Sequence, residues 1–267
     1  MRSCSRPQPG NPKPRLWRVP EASALINRMG FCGAGAPAAA KKLAALRGPL
    51  PLGISLGLNA DCPREKAPQE YAQTFKLLEP YGDYFAVNVS SPNTQGLRDL
   101  EAAHELKGIL EALQAENKGS KPVLVKISPD LGDQDLPELL GVIQGSASGV
   151  IAANTTLSRE GLPASARALP GGLSGRPLRK RAVCLVRRIH RLTQGKLPII
   201  GAGGVFTGRD AFEMISAGAC LVQLYTALVF RGPAAALRIQ EELAELLERS
   251  GCASVAEAVG TERELAA

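Results

Sequence analysis

The sequence predicts a β/α (TIM) barrel, an α/β fold in which parallel strands alternate with helices. Short apolar runs recur along the chain, and each run is continuous rather than alternating, as in strands that are buried on both faces. A turn and a longer amphipathic stretch follow the runs, which is the pattern of helical crossovers. Polar residues stand where the runs end, and barrels build their active sites there. On spacing alone, an open doubly wound sheet remains an alternative.

Six runs are predicted as strands: residues 52–58, 84–89, 123–127, 149–153, 198–201 and 221–225. The predicted helices cover residues 69–78, 100–114, 136–143, 177–193, 208–217 and 234–249. Pro177 suits a first helical turn, and Thr207 and Asp210 supply first-turn chemistry at residue 208. A complete barrel has eight strands. Because the first 50 residues offer only one weak candidate, residues 16–19, we expect an incomplete barrel of six βα units.

The composition indicates one globular domain rather than a disordered or membrane-spanning chain. Of the 267 residues, 45% are hydrophobic and 21% are charged. No apolar run approaches the ~20 residues that cross a bilayer. The six cysteines form no C-x-x-C pair, which argues against a disulfide framework and a zinc site and fits a reducing compartment. We therefore expect no bound metal.

The net charge of +7 is concentrated in one helix-like stretch. Its basic residues are Arg176, Arg179, Lys180, Arg181, Arg187, Arg188 and Arg191. A solvated helix face is one interpretation, and attraction to anionic lipid or nucleic acid is the other. Since no aromatic residues interleave with these charges, we expect no nucleic-acid partner.

Polar residues close the predicted strands. They are Asn59, Asn88, Ser91, Asn93, Thr94, Lys126, Asn154, Thr155, Thr156, Gly203, Gly204, Tyr225 and Thr226. An asparagine at a single strand end is commonly a turn or cap residue. Amides at several strand ends are different, because they donate and accept hydrogen bonds without charge. Such a ring of amides suits a planar ligand with alternating N–H and C=O edges.

Two features point to an anionic ligand. Lys126 lies inside an apolar run, where an ammonium needs an anion, and no carboxylate lies in the other runs. A structural salt bridge is the alternative to a ligand such as a flavin, whose reduced ring carries negative charge near N1. The glycines of residues 201–204 and 171–175, each before a helix start, resemble phosphate cradles, although tight turns alone would explain them.

Ser91 has no neighbouring histidine to make its hydroxyl nucleophilic. A role in the turn of residues 90–93 is one interpretation. As a proton acceptor, Ser91 would need a relay through water or a threonine, with Thr94 as a candidate.

A series of motifs resembles the dihydroorotate dehydrogenase family, in its quinone-using, membrane-linked class (class 2). The series is NVSSPNT at residues 88–94, GLR at 96–98, VKI at 125–127, NTT at 154–156, GGLSGRPL at 171–178 and LVQLYT at 221–226. The resemblance runs from about residue 6 to about residue 260. It implies that residues 1–14 form an irregular proline-rich segment and that residues 15–267 form a partial FMN-binding barrel domain.

The resemblance implies oxidation of (S)-dihydroorotate to orotate in pyrimidine (UMP) biosynthesis, with electrons passing through FMN to a quinone. In this class the base that removes the substrate's C5 proton is a serine, which falls on Ser91. The implied orotate contacts are Asn27, Arg28, Met29, Gly30, Phe31, Asn88, Asn93, Asn154 and Thr155. The implied FMN contacts are Ser55, Asn88, Lys126, Gly175, Gly204, Tyr225 and Thr226. Arg18 resembles an arginine near the quinone entrance.

The sequence also departs from the family pattern. Ser55 stands where the family has an asparagine, and Leu58 where a lysine often follows, so we expect weaker FMN binding. We also expect the helical quinone and membrane domain and the first two barrel strands to be missing, which would leave unpaired sheet edges.

The family is peripheral to the bacterial cytoplasmic membrane or to the mitochondrial inner membrane. A non-catalytic fragment of the enzyme is one alternative. A second alternative is another FMN barrel oxidoreductase, such as a dihydrouridine synthase. The SSPNT motif of residues 90–94 argues against that alternative.

Overall fold

The computed structural model describes residues 2–46 and 48–262. Its strands are β1 (Arg2–Ser3), β2 (Leu16–Val19), β3 (Ala24–Asn27), β4 (Gly53–Leu56), β5 (Tyr84–Asn88), β6 (Val123–Ile127), β7 (Gly149–Ala152), β8 (Gly172–Gly175), β9 (Ile199–Ala202) and β10 (Leu221–Gln223). Its helices are α1 (Gly35–Ala44), α2 (Ala67–Leu78), α3 (Ala103–Glu116), α4 (Leu136–Ser146), α5 (Ala164–Arg167), α6 (Arg179–Leu192), α7 (Gly208–Ser216), α8 (Thr226–Arg231), α9 (Ala235–Arg249) and α10 (Val255–Ala258).

The chain divides into two compact units. Unit 1 comprises Met1–Arg15, Arg28–Ile127 and Leu131–Val150. Unit 2 comprises Leu16–Asn27, Ser128–Asp130 and Ile151–Ala267.

Unit 1 is built on parallel strands in the order β1-β4-β5-β6. Helices α2 and α3 supply its apolar faces, and the rings of Phe75 and Phe85 meet edge to face with centroids 4.6 Å apart. Tyr71, Phe75 and Phe85 are fully buried. Each such side chain removes enough apolar surface from water to contribute about 1.5–3 kcal/mol. This packing anchors β5 against α2.

Unit 2 contains the parallel pair β9-β10 and a small antiparallel sheet in the order β2-β3-β8. The small sheet covers an apolar cluster that includes Val19, Ile26 and Leu173. Among the described strands β10 pairs with β9 alone, and Leu221 is 61% exposed. The predicted unpaired sheet edge is therefore observed at β10.

All six predicted strands are present, and the parallel βα repeats confirm an incomplete β/α barrel. The expectation of a single weak strand before residue 50 is wrong, because β1, β2 and β3 all lie there. β2 is the candidate at residues 16–19, and β3 was missed because its apolar run, Ala24–Ile26, has only three residues. In residues 2–46 and 48–262, no helix is long and apolar enough to cross a membrane.

Candidate active site

In unit 1, the carboxyl ends of β5 and β6 bring two predicted site residues side by side. Asn88 is the register partner of Lys126. The Tyr71 hydroxyl donates to the Asn88 carbonyl oxygen at 3.0 Å, and Ser90 Oγ donates to the Lys126 carbonyl oxygen at 2.5 Å. Burial raises the pKa of the Tyr71 phenol, so this group remains a neutral donor. The two strand ends are thus held by buried side chains.

The turn after β5 carries Ser91, which is 7% exposed. Its Oγ accepts a hydrogen bond from the Asn93 backbone N–H at 3.4 Å. The side chain of Arg98 braces the same turn by donating to the Ser90 carbonyl oxygen at 3.2 Å. Thr94 is 8% exposed, and its Oγ1 has no hydrogen-bond partner within the described part of the chain. Neither a histidine nor a carboxylate is bonded to the Ser91 hydroxyl in the described residues.

The segment of residues 28–31 belongs to the same unit. Gly30 and Phe31 are buried, whereas Arg28 and Met29 are half-buried. The Asn11 side-chain amide donates to the carbonyl oxygens of both Arg28 and Asn93, each at 2.9 Å. Within unit 1, the Asn11 side chain therefore links this segment to the Ser91 turn.

Sequence reasoning missed Asn11 and Gln8, because both lie in a proline-rich stretch without helix or strand periodicity. The available signal was two amide side chains among prolines and a glycine, at residues 7–12. Ser55 lies half-buried in β4, beside Ala86 of β5.

In unit 2, Asn154 and Thr155 follow β7 and are half-buried. The Thr155 backbone N–H donates to Asn154 Oδ1 at 2.8 Å. Thr156 is buried and donates to the Asp130 carboxylate. Asn27 ends β3 and pairs with Gly172 of β8.

The glycine loop after β9 offers backbone donors. Neither Gly203 nor Gly204 donates its N–H to another described residue. Gly204 has φ +71°, and a Cβ there would lie 2.6 Å from Arg179 Cβ and 2.7 Å from Arg179 N. Only glycine suits this close approach. The loop can therefore present two N–H groups to an anion.

At the start of α7, protein groups already accept hydrogen bonds from the backbone N–H groups of Gly208 and Asp210. Thr207 and Asp210 form a capping box, and Asp210, 2% exposed, also accepts from the Phe206 N–H at 2.9 Å and pairs with Arg179. The Gly208 N–H donates to Glu242 at 2.5 Å. Protein groups thus occupy the Gly208 and Asp210 N–H groups, and the two loop glycines offer donors for a phosphate.

The remaining predicted residues also lie in unit 2. Gly175 ends β8. Thr226 is buried and donates to Ser174 Oγ at 2.9 Å, whereas Tyr225 is 76% exposed. The Arg18 guanidinium lies 4.4 Å from the centroid of the Phe230 ring. No cluster of three or more histidine, cysteine or acidic side chains that could hold a metal occurs in the described ranges.

Comparison with known proteins gives a consistent result. A sequence profile described as "Dihydroorotate dehydrogenase" matches residues 2–247. A "Dihydroorotate dehydrogenase (quinone)" of Synechococcus sp. (strain JA-2-3B'a(2-13)) is 50% identical over 246 residues, which is 85% of this chain and 65% of the relative. One from Acidithiobacillus ferrooxidans is 47% identical over 270 residues, which is 96% of this chain and 74% of the relative.

Among solved structures, a DHODH from Eimeria tenella in complex with ferulenol has a TM-score of 0.92 at 33% identity. That match covers 98% of this chain and 78% of the Eimeria chain. The chain spans about two thirds of the length of curated relatives, 65% of one Synechococcus protein and 66% of another. On these matches, the chain belongs to the dihydroorotate dehydrogenase family.

Proposed function

We propose that the chain forms the orotate- and flavin-binding part of a quinone-linked dihydroorotate dehydrogenase. The reaction is oxidation of (S)-dihydroorotate to orotate, with FMN as the cofactor and a quinone as the final acceptor. The observation that carries the proposal is the Ser91 turn beside the paired Asn88 and Lys126, at the carboxyl ends of adjacent parallel strands. Barrels build active sites at this end of their strands.

The residues of the chain fit FMN in two respects. The N–H groups of Gly203 and Gly204 are free of described partners and suit a phosphate. The Lys126 ammonium can stabilise negative charge on a reduced flavin ring. When bound, FMN supplies the capacity to accept a hydride from the substrate and to pass electrons onward. Gly175, Tyr225 and Thr226 are proposed as further contacts, and Ser55 offers one hydroxyl in place of an amide.

The orotate ring would be held by neutral amides. Asn88, Asn93, Asn154 and Asn27 each offer a donor and an acceptor, which match the N–H and C=O edges of a pyrimidine. Thr155 and residues 28–31 complete the proposed set.

Ser91 is proposed as the group that removes the C5 proton of the substrate. The Asn93 N–H occupies one lone pair of Ser91 Oγ, which orients the hydroxyl. Because an alcohol is a weak base, the proton must pass onward. The buried and unpartnered Thr94 Oγ1, three residues along the same turn, can accept it and pass it to water.

The quinone and the membrane belong to the same proposal. Arg18 stacks on Phe230 and is the candidate for the quinone entrance, at a site peripheral to a bacterial cytoplasmic membrane or a mitochondrial inner membrane. No nucleic-acid partner is proposed. We assign residues 15–267 to the partial FMN-binding barrel domain and residues 1–14 to its N-terminal segment.

The test begins with FMN titration followed by flavin fluorescence, where we expect weak but saturable binding that Ser55→Asn tightens. Anaerobic reduction of the bound flavin by dihydroorotate is then measured in a stopped-flow instrument. Ser91→Ala should slow reduction by about 10²–10⁴-fold, the usual contribution of general acid–base catalysis, while FMN affinity stays the same. Ser91→Cys should shift the pH profile to lower pH, because a thiol is more acidic than an alcohol.

Ser254→Ala is the matched control, since Ser254 is exposed and makes no capping hydrogen bond. Flavin reduction at the wild-type rate in Ser91→Ala would remove Ser91 from its role. No saturable FMN binding by either the wild type or Ser55→Asn would refute the cofactor assignment.

A further inference from the structure

The N-terminal segment of residues 8–15 runs antiparallel along residues 28–33. Gln8 and Gly33 exchange two backbone hydrogen bonds of 2.9 and 3.0 Å. The Asn11 N–H donates to the Met29 carbonyl at 3.1 Å, and the Arg28 N–H donates to the Arg15 carbonyl at 2.9 Å. Four backbone hydrogen bonds thus fix the irregular segment to the part of unit 1 that carries Phe31.

Asn11 adds a link that backbone pairing cannot supply. The two protons of its side-chain NH₂ group match its two bonds, one to the Arg28 carbonyl and one to the Asn93 carbonyl, each at 2.9 Å. The approach is close, because a Cβ on Gly30 would lie 2.8 Å from Asn11 Cγ. One amide therefore sets the spacing between residues 28–31 and the Ser91 turn.

Gln8 supports the same segment from its other side. Its Nε2 donates to the carbonyl oxygens of Gly30 at 3.2 Å and Phe31 at 3.1 Å. Its Oε1 accepts from Asn59 Nδ2 at 3.1 Å and from the Ala60 N–H at 2.9 Å. Because both ends of the Gln8 amide are used, this side chain has one orientation, and residues 30–31 are tied to the loop after β4.

We propose that Asn11, braced by Gln8, is a positioning residue that aligns the substrate-binding segment of residues 28–31 with the Ser91 turn. The inference rests on the proposed function, since it concerns the spacing between a bound pyrimidine and its base. Both bonds of the Asn11 amide end on backbone carbonyl oxygens, so its action runs through the segments that it joins.

Asn11→Asp is the sharpest variant. A carboxylate has nearly the same shape as the amide but cannot donate, and it would face two carbonyl oxygens. Asn117→Asp is the matched control. Asn117 also donates its side-chain amide to a carbonyl, that of Lys121 at 2.8 Å, in a turn that follows α3. Asn11→Ala is a second variant without the added charge.

The first readout compares two affinities of the same protein. We expect Asn11→Asp to weaken orotate binding by about tenfold or more, as the loss of two hydrogen bonds implies. FMN affinity should stay within about twofold, and Asn117→Asp should change neither. If Asn11 were needed only for folding, its replacement would lower the orotate affinity, the FMN affinity and the melting temperature together. Either that outcome or unchanged orotate affinity in Asn11→Asp and Asn11→Ala overturns the proposal.

The second readout is amide hydrogen exchange of the protein without ligands. In Asn11→Asp, exchange should become faster in residues 28–33 and in residues 91–97 together, and in neither for Asn117→Asp. Faster exchange in only one of the two stretches would show that Asn11 does not couple them. Failure of the wild type to bind orotate would count against the proposed function, and the exchange experiment would still decide the link.

Discussion

Asp210 ties Phe206 and Thr207, which follow the glycine loop, to the first turn of α7, so replacing it should lower the stability of the protein. Its buried carboxylate accepts hydrogen bonds from the Phe206 N–H at 2.9 Å and the Thr207 N–H at 3.0 Å. Hydrogen bonds to a charged group contribute about 1.5–3 kcal/mol each. The ion pair with Arg179 adds little, because that side chain is 30% exposed and also lies 3.5 Å from Glu213.

We therefore expect Asp210→Ala to lower the free energy of unfolding by about 3–5 kcal/mol, because the two hydrogen bonds to the charged carboxylate are lost and their N–H donors stay buried without a partner. Asp210→Asn keeps one acceptor oxygen and should lose about half as much. In a chain of this size the alanine variant should melt about 6–20 °C lower. Urea unfolding followed by circular dichroism gives the free energies directly.

Asp135→Ala is the control, because Asp135 precedes α4 as an exposed N-cap residue without a side-chain capping bond. It should change stability by less than about 0.5 kcal/mol. Equal losses in Asp210→Ala and Asp135→Ala, or a loss below about 1 kcal/mol in the former, would refute the reasoning about the network.

Three further predictions concern single groups. Tyr71→Phe should lower the free energy of unfolding by about 1 kcal/mol in thermal unfolding, because it removes the bond to the Asn88 carbonyl, while Tyr81→Phe should change little. The hydrogen bond from the Gly208 N–H, aided by Arg231, lowers the pKa of the Glu242 carboxyl group. The stabilisation that this carboxylate provides is therefore present above the unfolded pKa of about 4.3. It is lost as the pH falls through the lower folded pKa. The stability gap between wild type and Glu242→Gln should therefore shrink below about pH 4.3 in urea titrations, and a constant gap would contradict this. Burial, aided by Glu70, raises the pKa of the Cys62 thiol to about 12, so iodoacetamide at pH 8 should label exposed Cys184 well before Cys62 in peptide mass mapping.

Six strands were predictable from continuous apolar runs, and β5, β6 and β7 are buried along most of their length. β8 was not predictable, since Gly172–Gly175 contains two glycines and a serine and reads as a loop. It becomes a strand through pairing with β3, a contact that local sequence does not encode. Helix α1 was also missed, because its sequence of small residues with a glycine and a proline in the first turn reads as a loop.

The candidate site was predictable where strand order decides it. Because parallel strands end at one edge, polar residues at successive strand ends are expected to lie close together, and Asn88 and Lys126 are register partners. The contacts of Gln8 and Asn11 were not predictable, because they depend on how an irregular segment folds back on residues 28–33. Only part of the capping network at α7 could be predicted from the sequence. Thr207 and Asp210 were recognised, but Glu242, 34 residues from Gly208, was not.

The small antiparallel sheet of unit 2 has a consequence for the order of folding. Ser174 Oγ donates to the Leu25 carbonyl across 149 residues of chain. Closing a loop of that length costs about 4 kcal/mol of chain entropy before the contact forms. A two-stranded hairpin alone is marginally stable in water, so β2 and β3 gain a lasting partner only when β8 has been synthesised. During translation, and in refolding from denaturant, we expect this sheet to form late and its N-terminal strands to be the longest exposed to proteases.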